Sequence, residues 1–340
     1  MDIMQLGRTG LQVSKSGFGA LPIQRISFDE AKTILRKAYD EGINFFDTAR
    51  MYTDSEEKIG YALADVRSRI VIATKSHAHD KKTLLSHLET SLRNLKTDYI
   101  DIYQLHNPQE LPEAADEDGL YAALAEAKQK GLIRFIGITN HSNKLAMEAA
   151  ASGMYDTIQF PLNTLSSEED LRLIAACKER NIGVIAMKAL SGGLITNAAT
   201  TFAFLRQYDN VVPIWGIQRL SELDQFIAME KNPPVLDEAM WQAIYKDRSE
   251  LAGDFCRGCG YCMPCPVGIE IPIQARISLL VHRAPYQGFL EDNFKEKMDL
   301  IEQCVECGQC RSQCPYQLDT PNLLKRELKR YQEFYETHAK

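Results

Sequence analysis

The sequence predicts an α/β fold: a (β/α)8 TIM barrel over residues 1–252, followed by a C-terminal, mainly α-helical unit over 253–340 that binds metal. Two observations carry this prediction. Short β-branched runs alternate with helical patterns eight times within the first ~250 residues, the size of a closed barrel of parallel strands. Eight of the nine cysteines then fall in the last quarter of the chain, in two compact runs. Length agrees with the division, because 340 residues exceed the size at which a single core keeps growing.

The expected strands are, in order, SGFGA (16–20), GINFF (42–46), RIVIAT (69–74), YIDIYQL (99–105), IRFIGIT (133–139), YDTIQF (155–160), IGVIAM (182–187) and VVPIWG (211–216). Each is apolar on both faces, as a parallel strand covered by helices must be. Between them FDEAKTILRKAYDEG (28–42), KTLLSHLETSLRNL (82–95), GLYAALAEAKQKG (119–131) and EEDLRLIAACKERN (168–181) place apolar residues at helical spacing. Cys177 lies on the apolar stripe of the last of these and reads as a small buried hydrophobe. An open doubly wound sheet is the alternative architecture. Its phosphate-binding turn requires GxGxxG after the first strand, and Gly17-Phe18-Gly19-Ala20-Leu21-Pro22 does not complete it.

The cysteine runs read Cys256-x2-Cys259-x2-Cys262-x2-Cys265-Pro266 and Cys304-x2-Cys307-x2-Cys310-x3-Cys314-Pro315. The second has the bacterial iron–sulfur spacing, and the first is one residue shorter before its fourth cysteine. Two 4Fe-4S clusters are the natural count. In two-cluster proteins the cysteine before proline ligates the other cluster, which assigns one cluster to Cys256, Cys259, Cys262 and Cys314 and the second to Cys304, Cys307, Cys310 and Cys265. Zinc is the rival ligand, although zinc sites more often use separated CxxC pairs. A disulfide framework is disfavoured, because MDIMQLGRTG lacks the charged and apolar regions of a secretory signal. The cluster unit is short of apolar runs and is expected to need its metal to fold.

Composition removes several classes. A net charge of −7 argues against a general nucleic-acid binder. No stretch approaches the ~18–20 apolar residues of a membrane span, so a cytoplasmic protein is expected. The C-terminal KRELKRYQEFYETHAK mixes charge signs and reads as a solvated face.

In a (β/α)8 barrel the chemistry sits at the carboxyl ends of the strands. Asp47 follows the second strand, Tyr52 lies in the loop after it, Lys75 ends the third and His106 the fourth. Reducing a carbonyl by hydride transfer develops negative charge on oxygen, which a proton donor must meet. Tyr52 suits that role if the Lys75 cation favours its phenolate, with Asp47 holding Lys75 and His106 orienting the carbonyl oxygen.

These four residues, in the contexts FFDTARMY, IATKS and DIYQLH, resemble the aldo-keto reductases. The leading LGRTGLQVSKSGFG is similar to that family's opening hairpin and first strand. The resemblance implies an NAD(P)H-dependent oxidoreductase reducing an aldehyde or ketone to an alcohol, or the reverse, on a small-molecule substrate. It implies that Thr139, Asn140 and Gln159 hold the nicotinamide carboxamide and that Met187 stands where many relatives stack an aromatic ring. Ser191-Gly192-Gly193 after the seventh strand reads either as a cover for the pyrophosphate, with glycine permitting close backbone approach, or as an ordinary loop. After the eighth strand many members clamp a 2′-phosphate with Lys and Arg, whereas this chain offers Gly216, Gln218 and Glu222, so NADH competes with NADPH. Ser221 and Asp224 also read as a helix-capping pair. His77, His79 and His141 fall in loops at the same end and read as solvated. The phrase CRGCGYCMPCPVGIEIP and the helical spacer resemble the dicluster ferredoxin-like extension that a subset of the family carries. A second function competes: an electron-transfer protein whose clusters serve a redox partner and whose barrel is a docking scaffold.

Overall fold

The computed structural model describes residues 1–251, 253–283 and 285–339. A hairpin of β1 (Ile3–Gln5) and β2 (Gln12–Ser14) precedes the barrel. The barrel strands are β3 (Gly17–Gly19), β4 (Phe45–Asp47), β5 (Val71–Ser76), β6 (Ile100–His106), β7 (Ile133–Thr139), β8 (Thr157–Pro161), β9 (Gly183–Met187) and β10 (Val211–Gly216). All eight pair in parallel and β10 closes onto β3, so the closed barrel expected from the sequence is present. Val212, Ile185, Ile102, Ala73, Val71 and Phe45 fill the barrel toward its amino end, where Met4, Leu6, Leu11 and Val13 of the hairpin join the same apolar cluster. That plug leaves the carboxyl end for polar residues.

The helices around the barrel are α1 (Phe28–Asp40), α2 (Ser55–Leu63), α3 (Lys81–Leu95), α4 (Leu120–Gln129), α5 (Asn143–Ser152), α6 (Glu168–Glu179), α7 (Ala198–Leu205) and α8 (Leu220–Lys231). Sequence starts several of them: Ser27 with Glu30 and Ser167 with Asp170 form capping boxes, and the Asp80 carboxylate accepts from Thr83 N. Cys177 of α6 is fully buried, and burial pushes its thiol up to about 12, which suits an inert hydrophobe.

Contacts divide the chain into two units, Met1–Ala189 with Ala199–Asp237, and Leu190–Ala198 with Glu238–Lys340. The second unit contains α9 (Glu238–Glu250), α10 (Ile271–Gln274), α11 (Ile277–Arg283), α12 (Asp292–Asp299), α13 (Gln309–Ser312) and α14 (Thr320–His338). Among its described residues no strand occurs, in keeping with the helical spacer read from the sequence. The solvated tail needs correction. Glu327, Leu328 and Tyr331 of α14 are buried, and the helix packs on α10 and α11, so only its outer face is solvated. Glu327 earns its burial by accepting from Ser278 N at 2.9 Å.

Candidate active site and cysteine-lined hollows

Register brings the strand ends to one level: Asp47 pairs with Gly19, Lys75 with Gln104, and His106 and Gln159 with Thr139. Lys75 Nζ donates to Asp47 Oδ1 at 2.7 Å and to the Thr48 carbonyl at 2.6 Å. Both side chains are buried. Burial lowers the pKa of Lys75 and raises that of Asp47, and their mutual contact opposes both shifts, as expected of an ion pair removed from water. Tyr52 is half-buried in the turn after β4, with its ring centroid 5.3 Å from Lys75 Nζ. His106 meets the Tyr52 ring edge-on, with centroids 5.9 Å apart. Burial, followed by the charges of Lys75, His141 and His77, holds His106 well below its ordinary value, so its imidazole is neutral. A neutral imidazole offers one donor and one acceptor.

The four sequence candidates therefore meet at one end of the barrel. Two residues of the same constellation were not singled out by sequence reasoning. The carbonyl of Thr48 anchors Lys75, and Gln104 donates through Nε2 to Gln159 Oε1 at 2.9 Å. Gln159 Nε2 in turn lies 3.5 Å from Asp47 Oδ1. A fully buried glutamine inside an apolar strand was the available signal for Gln104.

The groups expected to hold a nicotinamide nucleotide were tested on their donor sets. Asn140 Nδ2 donates to the Pro108 carbonyl at 3.1 Å and its Oδ1 accepts from Ser142 N at 2.7 Å. One N–H of Asn140 and one of Gln159 remain after these bonds, and a carboxamide can use them, so the residues present fit the group. Thr139 Oγ1 accepts from Asn107 N at 3.1 Å, and Met187 ends β9 half-buried. Gly216 ends β10. Beyond it, Glu222 Oε2 accepts from Gln218 N at 2.9 Å and from Arg219 N at 3.1 Å. This corrects the capping expectation, since Glu222 rather than the Ser221–Asp224 pair closes the start of α8, while Asp224 pairs with Lys37 at 2.5 Å. His77 and His79 are exposed, whereas His141 is buried and burial pushes it down to about 3, so the solvated reading fails for His141. Its backbone N–H is held by Asn107 Oδ1 at 3.2 Å. Ser191 and Gly193 lie in the segment that groups with the C-terminal unit.

In that unit, one hollow is lined by Cys256, Cys259, Cys262, Cys310 and Cys314 with Ile271 and Leu318. A second is lined by Cys262, Cys265, Cys304, Cys307 and Cys310 with Val267 and Leu324. Gly258 N donates to Cys256 Sγ at 3.3 Å. Burial and neighbouring sulfurs push the thiols of Cys256, Cys262 and Cys310 up, to about 12 for Cys262, so binding metal must displace their protons. Among the described residues no three His, Cys, Asp or Glu side chains form a group suited to a single ion. Thiols arranged around a hollow suit a polynuclear cluster better than a single zinc ion.

The sequence profile of the aldo/keto reductase family matches residues 15–203. The chain belongs to that family. A 4Fe-4S dicluster domain matches residues 255–319 and spans all eight clustered cysteines. Aldo-keto reductase YhdN of Bacillus subtilis is 30% identical over 220 residues, which are 59% of this chain and 65% of that protein. L-galactose dehydrogenase of Arabidopsis thaliana is 31% identical over 217 residues, 58% of this chain and 67% of its own length. The chain thus spans about two thirds of the curated relatives it matches. An aldo-keto reductase from Bacillus halodurans, in its holo form, superposes with a TM-score of 0.63 at 23% identity over 73% of this chain and 96% of its own, a likeness of fold.

Proposed function

We propose that this aldo/keto reductase is an NAD(P)H-dependent carbonyl reductase, acting on an aldehyde or ketone or on the corresponding alcohol in reverse, in the cytoplasm. The observation that carries the reading is the buried Lys75–Asp47 pair at 2.7 Å, set 5.3 Å from the Tyr52 ring that His106 also meets. Thr139, Asn140, Gln159, Met187, Ser191, Gly193, Gly216, Gln218 and Glu222 are the residues that would hold the nicotinamide nucleotide, which would supply the hydride when bound. Tyr52 gives its Oη proton to the carbonyl oxygen. The Lys75 ammonium stabilises the phenolate that remains, and Asp47 keeps that ammonium charged and in place. His106, neutral, donates to the same oxygen and fixes its direction.

The C-terminal unit is assigned two 4Fe-4S clusters, one on Cys256, Cys259, Cys262 and Cys314, the other on Cys304, Cys307, Cys310 and Cys265. The two hollows support this partition, since Cys314 lines only the first and Cys265 only the second. One observation favours the electron-transfer reading: Cys307 is exposed, within reach of a redox partner protein. Assaying NADH and NADPH oxidation with aldehydes and ketones, on anaerobically purified protein of measured iron content, separates the two. Carbonyl-dependent oxidation is expected, and its absence from fully iron-loaded protein defeats the reductase reading.

A further inference from the structure

The turn Ser191–Gly193 leaves the barrel after β9, yet its contacts lie with the cluster unit. Two arginines hold carbonyls here, Arg276 in the turn just before α11 and Arg283 at the last residue of that helix. Arg283 Nη1 donates to the Leu194 carbonyl at 2.7 Å, and Arg276 Nη1 to the Gly192 carbonyl at 3.1 Å. The two differ in what balances their charge. Arg283 is paired with Asp247 at 2.9 Å and with Glu250. Arg276 has no carboxylate at salt-bridge distance among the described residues, and the acidic groups acting on it are the thiols of Cys256 and Cys259. Its Nε donates to the Pro272 carbonyl at 2.8 Å, which aims the guanidinium.

Two glycines make room for that guanidinium. A Cβ on Gly258, at φ +61°, would come within 2.8 Å of Arg276 Cζ, and a Cβ on Gly192, at φ +65°, within 2.9 Å of Arg276 Nη1. Gly258 belongs to the first cysteine run, whereas Gly192 belongs to the turn assigned to the pyrophosphate. One cation therefore touches both.

We propose that Arg276 is a positioning residue that shapes the nucleotide-binding turn and couples it to the cluster held by Cys256 and Cys259, so that nucleotide affinity and cluster potential depend on each other. The proposal rests on the nucleotide-binding reading above and adds a link between the two cofactors. A cation beside a cluster favours the more negative, reduced form. The pyrophosphate brings negative charge toward the same cation, so nucleotide binding makes the cluster harder to reduce, and by linkage the oxidised protein binds nucleotide more tightly.

The test uses the iron-loaded full chain in wild-type form and as Arg276→Met and Arg276→Lys. NADH and NADPH dissociation constants come from fluorescence titration, and the cluster potential from paramagnetic-resonance titration with and without ADP-ribose, which carries the pyrophosphate and no nicotinamide. Arg276→Met is expected to weaken nucleotide binding about tenfold or more, the scale of a charge-assisted hydrogen bond, and to move the potential to a more negative value. Arg276→Lys keeps the cation, so its potential stays near wild type while its nucleotide affinity falls between the two. ADP-ribose is expected to shift the wild-type potential negatively and the Arg276→Met potential much less. A wild-type potential indifferent to ADP-ribose, or unchanged dissociation constants in both variants, overturns the coupling. A wild-type protein that binds neither nucleotide defeats the underlying functional reading instead.

Discussion

In the barrel, Asp47 and Lys75 carry opposite charges into the interior and meet at 2.7 Å; in the C-terminal unit, Cys256, Cys262 and Cys310 collect groups of one sign, and burial with mutual repulsion pushes each thiol up. At the barrel site the two buried charges, Lys75 and Asp47, are each other's partner within the chain. In the thiol-lined hollows the Arg276 guanidinium acts on Cys256 and Cys259, and bound iron would supply further positive charge. One region is thus preorganised by apolar burial and pairing, while metal binding is proposed to contribute folding energy to the other.

The sharpest way to break this contrast is to remove iron. Anaerobic chelation is expected to open the segment from Cys256 to Cys314 to protease while the barrel resists, and equal resistance of both regions would show that the apolar contacts of α11 and α14 suffice alone. Cys314→Ser probes the same region more gently. With crossed ligands it perturbs the paramagnetic signal of the cluster on Cys256, Cys259 and Cys262, whereas a change confined to the cluster on Cys304, Cys307 and Cys310 means that each run keeps its own fourth cysteine.

Within the barrel, Asp47→Asn tests the pairing. Burial already lowers the Lys75 pKa and Asp47 opposes that shift, so losing the carboxylate lowers it further. Since the proposed reaction needs Lys75 charged, the alkaline limb of kcat should move to lower pH; an unmoved limb contradicts the role given to Lys75. The smallest effect concerns cofactor choice. Glu222 presents a carboxylate at the start of α8 where a basic clamp would favour the 2′-phosphate, so NADH and NADPH should bind within about 100-fold, or 2.7 kcal/mol, of each other. A larger preference for NADPH points to Arg219 or another cation as the clamp.

The sequence made the barrel legible because parallel strands buried on both faces leave long apolar runs: Ile133–Thr139 and Val211–Gly216 fall on the expected residues. Departures arose where polar residues belong to a strand or to its tether. The expected 42–46 is instead Phe45–Asp47, because Asp47 pairs with Gly19, while Gly42 turns at φ +98° and the Asn44 amide ties down the hairpin through Gln12 and Ser14. The tetrad was legible because strand ends are fixed by periodicity. The contacts of Arg276 and Arg283 were not, since nothing in Ser191-Gly192-Gly193 signals that the Gly192 carbonyl meets Arg276 and that of Leu194 meets Arg283. His141 and Tyr331 were misjudged for a common reason: local composition does not say which side of a loop or helix another element covers.

The proposed role of Tyr52 as the proton donor of a carbonyl reductase is tested most directly at its hydroxyl. Tyr52→Phe removes one oxygen and leaves the ring against Lys75 and His106, so turnover with a substrate that the parent reduces should fall by about 10² to 10⁴ while the nucleotide dissociation constant stays unchanged. Undiminished turnover in that variant would contradict the assignment.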